Sequence, residues 1–336
     1  MEDEISARVF SHSEADGRSV RSLLTDYMEL AKARLGALVV LTAFVGYVLG
    51  ARDGGSLSGL AAVVVGTALS SFGANILNQW YESERDSLML RTRERPLPAG
   101  RLDRRTAAVL GVVTASIGLA ILAVATNWLT TFLSLFVILV YVLIYTPLKV
   151  RTPLNTVVGA VCGGVPPMMG WTAATGRLDA GAWILGGILF AWQIPHFLSL
   201  AWLYRDDYAR GGFQMLPAVD EEGSLTGRLS FLYAVSLLPI TAALTAFGIT
   251  GGAFLIASQV IGIAFVGLGW LFLRARSQST AKNLFLASIL YLTVLLGLMV
   301  VDVDDRAVRG GNVAAKSAAH TVDEIEVAAM PFREGL

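Results

Sequence analysis

Asn78, Glu82 and Asp86 recur at every fourth residue in "NQWYESERD", directly after the apolar run "AAVVVGTALSSFGANIL". On a helix this spacing lines all three on one face. At 1.5 Å per residue they span about 12 Å along the axis. That is too long for all three to hold one magnesium ion, but it suits one or two ions bridging to a diphosphate, since magnesium takes one or two carboxylates and completes its shell with water and phosphate. A second acid pair, Asp206 and Asp207, stands in "HFLSLAWLYRDDYARGG". Carboxylates alone repel an anion, so two acid clusters call for metal at Glu82, Asp86, Asp206 and Asp207. Arg91, Arg95, Lys149 and Arg151 are candidates for direct charge-assisted bonds to the diphosphate. The chemistry is ionisation of an allylic diphosphate. Metal and basic groups stabilise the leaving group, and a dry pocket shields the cation until an acceptor attacks. The plainer reading has these acids merely pairing with neighbouring arginines at the water interface. The helical spacing, the second cluster and the arginine excess favour the metal site.

The elements that must position these groups are membrane helices. The chain is 54% hydrophobic and only 15% charged, with mean hydropathy +0.61, whereas soluble domains carry about 25% charged residues. The 26 basic and 26 acidic residues cancel, which argues against a nucleic-acid binder. The lone Cys162 excludes an internal disulfide framework or a cysteine-rich zinc site. Nine segments are apolar and long enough to span about 30 Å of hydrocarbon: 35–51, 57–79, 106–126, 128–146, 154–174, 181–203, 229–249, 252–273 and 283–301. The fifth contains "GGVPP", which predicts a kink or break. Residues 1–24 and 302–336 read as polar tails flanking a single unit at 25–301. The first tail lacks the basic stretch and short apolar core of a secretory signal.

Fifteen lysines and arginines fall in the loops after the second, fourth, sixth and eighth segments, seven of them in the first of these loops, against only Arg52 and Arg177 on the other side. Positive charge stays inside, so the N-terminus and the charged loops are expected in the cytoplasm and the C-terminus outside. An acid cluster at the end of both the second and the sixth segments hints at an internal four-helix repeat.

The pattern formed by Asn78, Glu82 and Asp86, followed by "MLRTRERPLPAG", resembles the first acid motif of the UbiA-type intramembrane prenyltransferases. The blocks "YTPLKVRTPLNTVVGAVCGGVPPMMGW" and "WQIPHFLSLAWLYRDDYARGGFQMLP" look like those of the protoheme IX farnesyltransferase family, the haem O synthases. The similarity runs over about residues 25 to 300. It implies an all-α membrane protein with nine helices around a central cavity open to the cytoplasmic side, in a plasma or inner membrane. The implied reaction moves the farnesyl group of farnesyl diphosphate to a vinyl group of haem B, with addition of water, for haem-copper oxidases. The implied partners are the two substrates, the bilayer and a haem A synthase, and the implied cofactor is magnesium. Carried over by position, Asn78, Glu82, Asp86 and Asp207 serve the magnesium–diphosphate site. The acid motif alone fits a quinone-precursor or chlorophyll-type acceptor equally well. An ion-coupled transporter would need its acids near the bilayer centre. The second motif departs from the family pattern, with Leu203 four residues before Asp207.

Three histidines occur, and only His196, in "WQIPHF", lies within a membrane segment. An ionisable group there is a functional candidate, as an iron ligand or a proton acceptor, with a hydrogen-bonded core histidine as the alternative. Tyr145, Trp192 and Tyr204 are candidates for an aromatic wall stabilising a cation, or else for interfacial anchors. Gly159, Gly163 and Gly164 read as close-packing positions.

Overall fold

The computed structural model describes residues 20–303. Within them the chain forms a helix α1 at Val20–Leu30 and nine helices long and apolar enough to cross a membrane. These are α2 Ala33–Gly50, α3 Leu57–Asp86, α4 Arg104–Ala125, α5 Trp128–Leu148, α6 Asn155–Thr175, α7 Ala180–Leu203, α10 Ser224–Ala246, α11 Gly252–Ala275 and α12 Gln278–Val301. Two short helices, α8 Arg205–Arg210 and α9 Leu216–Val219, interrupt the loop after α7. His12 and His320, and nearly all of both expected tails, lie outside the described residues.

Helix starts follow the local chemistry. Ser56, Asp103 and Asn127 each accept a hydrogen bond from the backbone N–H three residues ahead, which satisfies an otherwise orphaned donor. Ser277 and Thr280 form a reciprocal capping box at the start of α12. This capped polar turn explains why α12 begins about one turn earlier than hydropathy suggests.

Consecutive spans α2 to α5 pack side by side, as do α6, α7, α10 and α11, while α2 joins α6 and α12 closes against α7 and α11. Small residues let the backbones meet where lipid supplies no hydrophobic drive. Gly73 of α3 faces Gly111 and Ala115 of α4, and Gly118 of α4 faces Ser70 of α3. The break expected at "GGVPP" does not occur, because α6 runs unbroken through Pro166 and Pro167. Gly46 of α2 sits on the Pro167 carbonyl and Gly170 of α6 on that of Ala43, so α2 covers this stretch of α6.

The helix α5 carries one full π-helical segment, Val140–Tyr145, before its last turn at Thr146–Leu148. Such segments shift side-chain direction and concentrate at functional sites.

A methyl group at Gly170 overlaps the Ala43 carbonyl oxygen, and neither backbone can yield without separating α2 from α6. The Gly170→Ala variant is therefore expected to lose about 1–3 kcal/mol or more, read as a lower thermal midpoint in detergent. A Gly267→Ala control, where no atom lies within 4 Å of the added methyl, is expected to match the wild type.

Candidate active site

Beyond the apolar run, α3 continues for two more turns, and this extension builds the site. A cavity of about 330 Å³ opens at that end. Its body is lined by Val39 of α2, Ala74 of α3, Val137 and Ile138 of α5, Pro166 and Met169 of α6 and Phe197 of α7. Its mouth carries Glu82 and Asp86 together with Lys32, Arg91, Arg95 and Lys149.

The two acids are buried and each faces a cation. Lys149 Nζ lies 2.8 Å from Glu82 Oε1 and donates to Oε2 at 3.1 Å. Arg95 Nη1 lies 2.7 Å from Asp86 Oδ2. The Lys149 ammonium also sits 4.7 Å above the Tyr145 ring. Burial alone would lower its pKa, but the Glu82 carboxylate, Tyr145 and Tyr141 together outweigh that and hold it above the ordinary lysine value. Lys32 behaves oppositely. Burial pushes it down to about 7, with Arg95 and Lys149 acting in the same direction against Glu82 and Asp86.

Lys32 itself is held in left-handed backbone geometry (φ 50°, ψ 50°) at the start of α2. A non-glycine residue there costs about 1–3 kcal/mol and persists only where its surroundings fix it. Asn78 supplies one constraint. Its Oδ1 accepts from Lys32 Nζ at 2.5 Å, and its Nδ2 donates to Thr146 Oγ1 at 3.0 Å. Thr146 Oγ1 in turn donates to the Tyr141 carbonyl, where the π segment turns. Fully buried and outside the cavity wall, Asn78 ties α2, α3 and the π segment together.

The structure does not bring the second acid pair to the cavity wall. Asp207 is 6% exposed. It accepts from the backbone N–H of Leu90 at 2.9 Å and of Arg91 at 3.2 Å, and from Arg210 Nη2 at 2.6 Å. Burial tends to raise this carboxyl, but Arg210 and the two backbone donors outweigh it and hold it below the usual range. Its contribution is present throughout neutral pH and fades only as pH falls through that lowered value. Asp206 lies 3.8 Å from Arg205 with its side chain mostly in solvent. Asp207 thus clasps the loop after α3 to the loop after α7. Arg91 Nη2 donates to Tyr208 Oη at 3.1 Å between the same two loops, and Arg85 Nη1, from the last turn of α3, donates to the Gly211 carbonyl at 3.3 Å.

Of the seven loop arginines, Arg91 and Arg95 line the cavity. Arg101 instead anchors α1 through Asp26 at 2.8 Å, and Arg104 pairs with Glu84 at 2.6 Å. Arg151 is exposed and lies outside the wall. His196 turns toward α12. Its ring stacks between Trp192 and Phe285, and its Nδ1 meets Ser288 Oγ at 2.7 Å. Tyr145 joins the wall, whereas Trp192 and Tyr204 do not. Gly159 and Gly163 abut Tyr145 and Gln193 and make room in the cavity as well as packing. Sequence reasoning missed Lys32, Tyr141, Cys162 and Gln193 as wall residues. Only Lys32 had a local signal, as one of two basic residues, with Arg34, directly before the first span.

The mouth fits a magnesium ion that shares its shell with phosphate. Glu82 Oε1 is buried and accepts no well-directed hydrogen bond, although Lys149 is close. No group of three or more His, Cys, Asp or Glu converges among the described residues. That excludes an all-protein cage there and leaves the two-carboxylate arrangement magnesium prefers.

A nine-span bundle around an apolar chamber with acids and cations at one mouth defines a membrane-embedded protein with an intramembrane binding site. Residues 39–294 match the UbiA prenyltransferase family, and the chain belongs to that family. It is 43% identical over 270 residues to the protoheme IX farnesyltransferase of Anaeromyxobacter sp. (strain Fw109-5), covering 80% of this chain and 90% of that one. It is 37% identical over 288 residues to the protoheme IX farnesyltransferase of Solibacter usitatus, covering 83% and 99%. Among solved structures, a digeranylgeranylglyceryl phosphate synthase shares the fold at TM-score 0.71 and 16% identity, over 83% of this chain and 98% of that one. A UbiA homolog from Archaeoglobus fulgidus bound to GPP and Mg2+ does so at TM-score 0.58 and 14% identity, over 82% and 99%.

The clasp yields a prediction. An Asp207→Ala variant loses three charge-assisted bonds, expected to cost about 2 kcal/mol locally. The expected result is faster proteolysis between residues 87 and 103 and a raised KM for the diphosphate substrate. An unchanged cleavage pattern would remove the clasp role.

Proposed function

We propose that this chain transfers the farnesyl group of farnesyl diphosphate to a vinyl group of haem B, with addition of water, giving haem O and diphosphate. The observation that carries this reading is the mouth of the cavity, where Glu82 and Asp86 meet Lys32, Arg91, Arg95 and Lys149 above an apolar chamber. The protoheme IX farnesyltransferases it resembles over most of its length supply the acceptor. Haem B is a substrate here, not a cofactor.

Glu82 and Asp86 would hold magnesium. The bound ion supplies charge neutralisation for the leaving diphosphate. Lys149 and Arg95, paired with those carboxylates, lie within reach of phosphate oxygens at the same mouth, and Lys32 and Arg91 add two further cations. Asn78 acts by fixing the Lys32 amine and the end of α5. The C1–O bond of the farnesyl diphosphate breaks, and its electron pair leaves with the diphosphate. The vinyl group attacks C1, the new carbon–carbon bond leaves a cation beside the porphyrin, and water captures that cation and loses a proton. Tyr141 and Tyr145, stacked with ring centroids 5.2 Å apart, present π faces beside the chamber that stabilise the allylic cation. The clasped loops exclude water until the acceptor is in place. Asp206 and Asp207 take no part in this metal set, and neither does His196 in the cavity chemistry.

The charge asymmetry of the loops supports a plasma or inner membrane location with the mouth on the cytoplasmic side and the C-terminus outside. Haem O is the substrate of a haem A synthase, the partner we propose downstream.

Product analysis tests the reaction. Expressed in a host lacking haem O, the wild type is expected to yield a haem heavier than haem B by farnesyl plus water on liquid chromatography with mass detection. Asp86→Asn is expected to reduce that product at least 100-fold, because it removes a charge from the proposed metal pair. Folded membrane protein with no modified haem would overturn the acceptor assignment. Product undiminished in Asp86→Asn would overturn the role of the acid.

A further inference from the structure

A second cavity, of about 390 Å³, lies between α10 and α11 at the end of the bundle that carries the charged mouth. It is lined by Ser224, Arg228, Trp270, Leu273, Arg274 and Arg276. Neither α10 nor α11 contributes a residue to the first cavity, so this site is separate. Three guanidinium groups share one concave surface, and among the described residues none has a carboxylate within 4 Å. Arg228 makes no hydrogen bond or ion pair with any described residue. Arg274 lies over the Trp270 ring at 5.5 Å, and among the described residues Arg276 donates only to the Glu222 carbonyl, at 3.1 Å. The nearby Asp220 is already engaged by Thr226 through its N–H and Oγ1. Glu221 and Glu222 precede Ser224 but make no ion pair with these arginines among the described residues, and like charges gathered in this way repel one another unless an anion joins them.

The frame around the arginines is rigid. Gly227 brings α10 against the Leu273 backbone of α11, where an added Cβ would stand 3.0 Å from Leu273 Cα. Arg228 and Arg274 each follow directly on this contact. Arg276 holds left-handed geometry at the end of α11, with φ 47°. Below the cavity, α11 presents Ile256, Val260, Ile263 and Trp270 to the outside, at a spacing of i, i+4, i+7 and i+14 on one face. Trp270 is 47% exposed, as expected of an aromatic anchor at the membrane–water boundary.

We propose that this cavity binds the phosphate headgroup of an anionic phospholipid, with an acyl chain lying along the apolar stripe of α11. Basic pockets between membrane helices suit such headgroups, and arginine forks match phosphate oxygens in pairs. A soluble anion would have use for the arginines but none for the stripe that leads to them.

The test uses the full chain in neutral detergent, with phosphatidylglycerol, phosphatidylcholine and inorganic phosphate as probes, read by native mass spectrometry and thermal unfolding. The expected result is retention of phosphatidylglycerol at least 10-fold above phosphatidylcholine, with a higher thermal midpoint that inorganic phosphate does not reproduce. The Arg228→Gln/Arg274→Gln variant is expected to lose that preference while keeping the wild-type midpoint in phosphatidylcholine. If the double variant unfolds there, Arg228→Gln alone carries the comparison. Equal retention of both lipids, or a preference unchanged in the variant, overturns the proposal. Stabilisation by inorganic phosphate to the same extent overturns the lipid and makes this a soluble-anion site.

Discussion

Two carboxylates buried at the end of a membrane helix set the conditions for the rest of the mouth. An ionised carboxylate out of water is costly unless a cation and hydrogen bonds offset it. Glu82 and Asp86 meet that demand through Lys149 and Arg95. Those partners come from two different loops, so the loops must be held in place for each acid to keep its counter-charge. The π segment in α5 delivers Lys149, and the loop after α3 folds back to deliver Arg95 nine residues beyond Asp86. Asp207, from the far half of the chain, pins that loop by its backbone. Acids that in isolation would repel a diphosphate therefore stand inside a ring of cations whose geometry they help to fix.

The chamber below the mouth follows from small residues and from proline. Gly46 and Gly170 let α2 and α6 touch backbone to backbone, while Gly159 and Gly163 leave space beside Tyr145 and Gln193. The helices that line it are α2, α3, α5, α6 and α7, while α10 and α12 brace α7 from outside. The half of the bundle that lacks the cavity is free to carry other surfaces, and the arginine-lined site between α10 and α11 occupies one of them.

The nine spans were legible because each is a long apolar run, and the first acid motif because its residues repeat at the helical period on one continuous element, α3. Tyr145 was legible as an aromatic candidate, but the strained Lys32, Tyr141, Cys162 and Gln193 were not, since only packing brings them to one wall. Asp207 stood next to Asp206 in an acidic-looking segment. That its oxygens serve Leu90 and Arg91 could not appear before the two loops were paired in space. His196 drew a functional reading as an ionisable group in a membrane helix, and Ser288 with two flanking rings accounts for its burial. Of the kink or break expected at "GGVPP", the break is absent: α6 is continuous there, and α2 lies close over that stretch.

The central assignment is that Glu82 and Asp86 bind the diphosphate through magnesium while the cations bind it directly. Calorimetric titration with farnesyl thiolodiphosphate, which resists ionisation, tests this without any acceptor. Binding by the wild type is expected to need magnesium and to weaken at least 10-fold on chelation. The Glu82→Gln/Asp86→Asn variant is expected to bind with the same low affinity whether or not magnesium is present. Tight binding by the wild type without magnesium, or a magnesium effect that survives in the variant, would contradict the role given to the two carboxylates.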